Sequence, residues 1–225
     1  MRLVFYSGGQ NPSNEKIHKV LAKLARESKK SRRLSLTYIP VWAESSEAFF
    51  RRFVKRYRAV GFREFHCLPV DVPVSRKSLK RALQADAIYL AGGNTFYFLK
   101  HLRKSGVLTK LKKFAKKGGV VAGLSAGAII MTPSIGLAAY PIFDADNNEV
   151  RLRRKHWKAL GLVNFEFFPH FVSSRRYIQA MINYSRRRKR RVYACQDGGG
   201  ISIRGKEVSF FGKVKCFEKG KLLSY

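Results

Sequence analysis

Short apolar runs alternate with longer stretches of helical period through the first half of the chain. That alternation predicts strand, crossover helix and strand, with a mostly parallel sheet. Residues 3–6 read as a strand, after which Ile17, Val20, Leu21 and Leu24 fall on one helix face, with lysines and Arg26 on the other. A strand at 34–41, a helix at 47–60 stopped by Gly61, a strand at 62–70, a helix at 75–84 and an apolar strand at 87–91 follow. A helix begins near Phe96. Leu108, Leu111 and Phe114 mark another, closed by Gly118-Gly119, and residues 120–124 form a buried strand. The second half is less regular, with strands at 164–169 and 191–196 separated by a helix from about Arg175. Strands at 201–204, 207–211 and 214–217, joined by Gly205-Lys206 and Gly212-Lys213, predict a closing antiparallel meander. No linker or repeat interrupts the pattern, so residues 1–225 are expected to form one α/β domain.

Composition changes this picture only in its partners. The 225 residues are 45 % apolar, enough for one buried core, and exclude a disordered chain or a disulfide-stapled miniprotein. Forty-six Lys and Arg against fourteen Asp and Glu give a net charge of +32, which attracts nucleic acid or acidic partners non-specifically. The densest run is 186–191, but a solvated helix end accounts for it, and no zinc-finger, RNP or helix-turn-helix spacing accompanies the diffuse charge. Cys67, Cys195 and Cys216 are widely spaced and read as reduced core thiols, and nothing calls for a metal or cofactor. No apolar run is long enough for a membrane span or a signal-peptide core, so a cytoplasmic protein without membrane attachment is expected.

The sharpest chemical signal is Gly123-Leu124-Ser125-Ala126-Gly127, a G-x-S-x-G placed between an apolar strand and an apolar helix. A tight strand-to-helix turn presents the Ser125 hydroxyl on strained backbone, and the N-terminus of the new helix offers N–H groups to a developing oxyanion. The hydroxyl needs a base. His18 and His101 fall in helices, His66 in a strand and His156 in a basic stretch, all ordinary places for an imidazole. His170 instead ends the apolar strand Phe165-Glu166-Phe167-Phe168-Pro169, and strand ends line the crevice of an open α/β sheet. Asp197, at another strand end before Gly198-Gly199-Gly200, is the first candidate to orient the imidazole. Asp144 and Asp146, in a polar loop, are the alternatives. Gly92-Gly93-Asn94-Thr95 follows the apolar strand at 87–91, lacks the P-loop and dinucleotide spacings, and places the N–H of Gly93 as a second oxyanion donor. Gly8-Gly9 reads as a turn.

In order and spacing these motifs resemble the aspartyl dipeptidase (peptidase E) family of serine peptidases, which also includes cyanophycinases. The resemblance spans nearly the whole chain, from Leu36-Thr37-Tyr38-Ile39-Pro40 through residues 85–96, the elbow, Ala159-Leu160-Gly161-Leu162, Pro169-His170-Phe171 and Asp197-Gly198. It implies a three-layer α/β/α sandwich like that of class I glutamine amidotransferases, with Ser125 as nucleophile, His170 as base, and N–H groups near Gly93 and Ala126 as the oxyanion hole. The family's third member is usually a glutamate where this chain has Asp197, so the shorter carboxylate must sit about a methylene closer. Cleavage after an N-terminal aspartate needs a cation for that side chain. Arg175 and Arg176 are the nearest to His170 in sequence. Gly92, Asn94 and Thr95 are implied substrate contacts.

The expected function is hydrolysis of dipeptides or short peptides with an N-terminal aspartyl residue, by a monomer or homodimer. A cyanophycinase-like or isoaspartyl hydrolase, and a basic binding protein on a hydrolase-like frame, are the alternatives.

Overall fold

A computed structural model describes residues 1–9, 14–28, 33–41 and 46–223. Its larger sheet has seven strands in the order β3-β2-β4-β5-β1-β8-β9. The strands β1 (Arg2–Tyr6), β2 (Leu34–Ile39), β3 (Phe62–Cys67), β4 (Ala87–Leu90) and β5 (Val120–Leu124) run parallel. The crossovers are α1 (Glu15–Ser28), α2 (Ser46–Ala59), α3 (Arg76–Gln84) and the pair α4 (Thr95–Lys104) and α5 (Val107–Lys116). The expected strand at 62–70 stops at Cys67, and the expected helix at 75–84 starts one residue later because the Ser75 hydroxyl caps it by accepting the Ser78 N–H at 3.1 Å.

Both faces of this sheet are covered, which explains why its central strands β4 and β5 are apolar at every position rather than alternating. In β1, Leu3 and Phe5 point into one core while Val4 and Tyr6 point into the other, and β4 divides Ile88 and Leu90 from Ala87 and Tyr89 in the same way. The Val4 side is sealed by Ile17 and Leu21 of α1 and by Phe53 and Tyr57 of α2. The Leu3 side is sealed by Phe98 of α4, Leu111 of α5 and Ile129 of α6 (Ala126–Met131). Each such side chain, fully buried, contributes about 1.5–3 kcal/mol. The fold class is thus the expected α/β sandwich on a mostly parallel sheet.

The C-terminal strands depart from a single meander. β8 (Gly200–Arg204) and β9 (Glu207–Phe211) extend the large sheet, β8 pairing antiparallel with β1. After Gly212 the chain leaves that sheet, and β10 (Val214–Glu218) and β11 (Lys221–Leu223) join a second sheet of order β11-β10-β7-β6. There β6 (Glu166–Phe168) and β7 (Val192–Cys195) run parallel, connected by α7 (Arg175–Arg188). In this small sheet β6 and β7 are buried on both sides. Phe167 lies 5.5 Å from Phe5 of β1, ring centre to ring centre, and Phe168 packs with Met181 of α7. The Glu166 carboxylate, buried beneath α7, accepts the Tyr184 hydroxyl at 2.6 Å; burial raises the pKa of both groups. Cys67, Cys195 and Cys216 are free thiols. Among the described residues no helix is long and apolar enough to cross a membrane.

Candidate active site

The C-terminal ends of β1, β4, β5, β6 and β7 converge on one rim of the molecule. β5 delivers Ser125 through a turn that leaves no room for side chains. A Cβ on Gly123 would come within 2.5 Å of the Gly127 backbone, and one on Gly127 would come within 2.7 Å of the Ala91 carbonyl oxygen. That close approach closes a hydrogen bond from Gly127 N–H to Ala91 O at 3.1 Å. Ser125 itself adopts φ 50° and ψ −111°, a conformation that costs a non-glycine residue on the order of 1–3 kcal/mol. Its N–H donates to Tyr6 O at 3.0 Å and its carbonyl accepts Ile129 N–H at 3.0 Å, so backbone bonds on both sides hold the strain.

The small sheet delivers the other two groups. His170 Nε2 lies 2.8 Å from Ser125 Oγ, and His170 Nδ1 lies 2.7 Å from Asp197 Oδ1. With the imidazole neutral and Nδ1 protonated, Nε2 is left to accept the serine proton. The His170 and Asp197 side chains are 48 % and 55 % exposed, so substrate and water reach them directly. The alternative acids are engaged elsewhere. Asp146 accepts the Thr95 N–H at 2.8 Å, and Asp144 interacts with the Tyr177 hydroxyl. The remaining histidines serve the frame. His66 meets Ser78 at 3.2 Å, His101 stacks on Tyr97, and His156 sits in a short 3-10 turn. His18 is buried, with Nδ1 3.0 Å from the Tyr57 hydroxyl and 3.3 Å from that of Tyr6. Burial first, then the Arg56 guanidinium, push its pKa down to about 4.

After β4 the backbone passes against the serine, since a Cβ on Gly92 would lie 3.6 Å from Ser125 Cβ, and Gly93 follows at φ 131°. Ala126, as the first residue of α6, has an N–H with no acceptor one turn back in the helix. Asn94 serves as a cap: its Oδ1 accepts the Tyr97 N–H at 2.9 Å and its Nδ2 donates to Asn147 O at 2.6 Å. The Thr95 side chain is buried. Arg175 and Arg176 open α7, both exposed, with the Arg176 guanidinium 3.5 Å above the centre of the Phe143 ring.

Two residues at the end of β1 belong to this site and were not singled out by sequence pattern. Ser7 is fully buried beneath His170 and accepts its backbone N–H at 2.8 Å. Gly8 lies against the His170–Asp197 pair so closely that a Cβ there would overlap the Asp197 carboxylate and the imidazole. The absent side chain is what lets a short aspartate reach the ring. The only sequence signal was Gly8-Gly9 at a strand end, which an ordinary turn also explains.

The two sheets thus bring a serine elbow, an imidazole and a carboxylate together at their strand ends. Residues 3–211 match the model of peptidase family S51, and the chain belongs to that family. Among curated relatives, the uncharacterized peptidase Lmo0363 of Listeria monocytogenes is 34 % identical over 55 % of this chain and 58 % of its own length. Peptidase E of Citrobacter koseri is 33 % identical over 40 % of this chain and 36 % of its own. The matched stretches thus span less than two thirds of these relatives. In fold, a peptidase from an acI-B1 Actinobacterium superposes with a TM-score of 0.68 at 16 % identity, covering 100 % of this chain and 96 % of that one. A Listeria monocytogenes protein assigned to peptidase E gives 0.66 at 24 %, covering 99 % and 98 %.

Proposed function

We propose that the protein is a serine-type peptidase acting on dipeptides or short peptides, with an N-terminal aspartyl residue as the preferred substrate. The observation that carries this reading is the unbroken line from Ser125 Oγ through His170 to Asp197, with contacts of 2.8 and 2.7 Å. Ser125 Oγ attacks the scissile carbonyl carbon while His170 Nε2 takes its proton, and Asp197 stabilises the resulting imidazolium. The oxyanion is met by the N–H groups of Gly93 and Ala126. His170 returns the proton to the leaving amine, and the remaining acyl-serine is hydrolysed by water with His170 again acting as base.

Because the Thr95 side chain is buried, contacts on this side of the substrate fall to the Gly92-Gly93 backbone and to the N–H that Asn94 keeps beyond its bond to Asn147. The substrate's side-chain carboxylate is assigned to the arginines opening α7. Arg175 is the freer of the two, since Arg176 is stacked on Phe143.

A mass-spectrometric screen of Asp-X, isoAsp-X, Glu-X, Asn-X and neutral dipeptides, run beside Ser125→Ala, tests this directly. Asp-X cleavage abolished by the substitution is expected. Serine-dependent cleavage confined to another group would replace the aspartyl preference, with isoAsp-X favouring an isoaspartyl hydrolase. No serine-dependent turnover would remove the reading.

A further inference from the structure

We propose that Ser7 is a positioning residue for the reacting groups, a role that rests on the reading of Ser125, His170 and Asp197 given above. Ser7 stands where the two sheets meet at the site. Its oxygen accepts the His170 N–H at 2.8 Å, its hydroxyl donates to Cys195 O at 2.6 Å, and its own N–H donates to Gly199 O at 3.1 Å. One buried side chain just past β1 of the large sheet thereby holds both the residue that carries the imidazole and the end of β7 that leads into Asp197.

The hydroxyl has one proton, and the short bond to Cys195 O takes it. The 3.4 Å approach to Asp197 Oδ1 is therefore a longer secondary contact, and the aspartate remains available to the imidazole. His170 needs this support because its backbone lies at φ 54°, which a non-glycine residue keeps only when its surroundings impose it. The bond from Phe171 N–H to Cys195 O at 3.0 Å fixes the residue after it, and the Ser7 oxygen satisfies His170's own N–H. Without the Ser7 oxygen that N–H has no acceptor from β1, and the ring loses its fixed line to Ser125.

The test compares Ser7→Ala with Thr37→Val, a matched loss of a buried hydroxyl that donates to Ala82 O at 3.0 Å in β2. Ser7→Ala is expected to lower kcat about 10- to 100-fold with KM changed less than about threefold, because the geometry of attack is lost and binding is not. It should also weaken or shift the far-downfield proton resonance of the His170–Asp197 hydrogen bond. Thr37→Val, with a similar fall in Tm, should leave both unchanged. Ser7→Cys, which keeps the size and weakens both bonds, should lie between, and it replaces Ser7→Ala if that variant does not fold. Unchanged kcat and an unchanged resonance in folded Ser7 variants would overturn the proposal, as would equal losses in Thr37→Val. If the wild type cleaves no peptide, the functional reading fails while the resonance still decides the role of Ser7.

Discussion

The two halves of the site are held by different physics. Ser125 is placed by its own neighbourhood: the elbow spans five residues, its glycines exclude side chains, and its backbone bonds reach the end of β1, Ala91 just after β4 and its own helix α6. His170 and Asp197 are placed from a distance. They extend from the small sheet, are about half exposed, and meet the serine only because residues at the end of β1 bind or yield space to them. A locally enforced serine is therefore set against an imidazole and a carboxylate whose alignment depends on how two sheets dock.

That contrast predicts different modes of failure. The largest effect is expected on the serine side, from Gly127→Ala. A methyl group driven against the carbonyls of Leu90 and Ala91 destabilises the fold itself by about 3 kcal/mol, read as a fall in Tm or in the denaturant midpoint. Gly8→Ala should do the opposite, with a cost in stability of only about 1 kcal/mol and a loss of about 10²-fold in kcat/KM as the methyl pushes the His170–Asp197 pair apart. Equal Tm losses in the two variants would break the comparison. Next comes Asp197→Glu, which keeps the charge but lengthens an acid that already lies close against Gly8. A loss of about 10-fold in kcat is expected, smaller than that of Asp197→Asn, which removes the charge.

A further effect, on stability alone, lies away from the site, at His18. Its folded pKa of about 4 lies below the ordinary 6.5, so between these values the unfolded chain binds more protons and stability falls as pH falls. Chemical denaturation at pH 7.5 and pH 5 should show a decline of about 2 kcal/mol from this group. His18→Gln should flatten that decline while leaving the relative activities of the site variants unchanged.

The same contrast governs what could be read from the sequence. The boundaries of β5 and β9 agree with their apolar patterns, and the serine elbow announces itself, because a tight turn between a buried strand and helix constrains consecutive residues. His170 and Asp197 were legible as strand ends. The division of the last strands between two sheets was not, since a period of two fixes which face a residue takes but not which sheet receives it. Ser7 and Gly8 were hidden for a related reason. A serine and a glycine after a strand describe a turn equally well, and the groups they meet at the site, His170 and Asp197, come far later in the chain. Arg176 shows the limit from the other side, because its stacking on Phe143 depends on a loop whose course the sequence does not specify.

The central claim is that the His170–Asp197 pair activates Ser125. Labelling with a fluorophosphonate, followed by mass spectrometry of the digested protein, tests it without assuming a substrate. The account predicts one adduct, on Ser125, formed rapidly by the wild type and slowed by orders of magnitude in His170→Ala. An adduct on another residue, or labelling of Ser125 at an equal rate in His170→Ala, would contradict it.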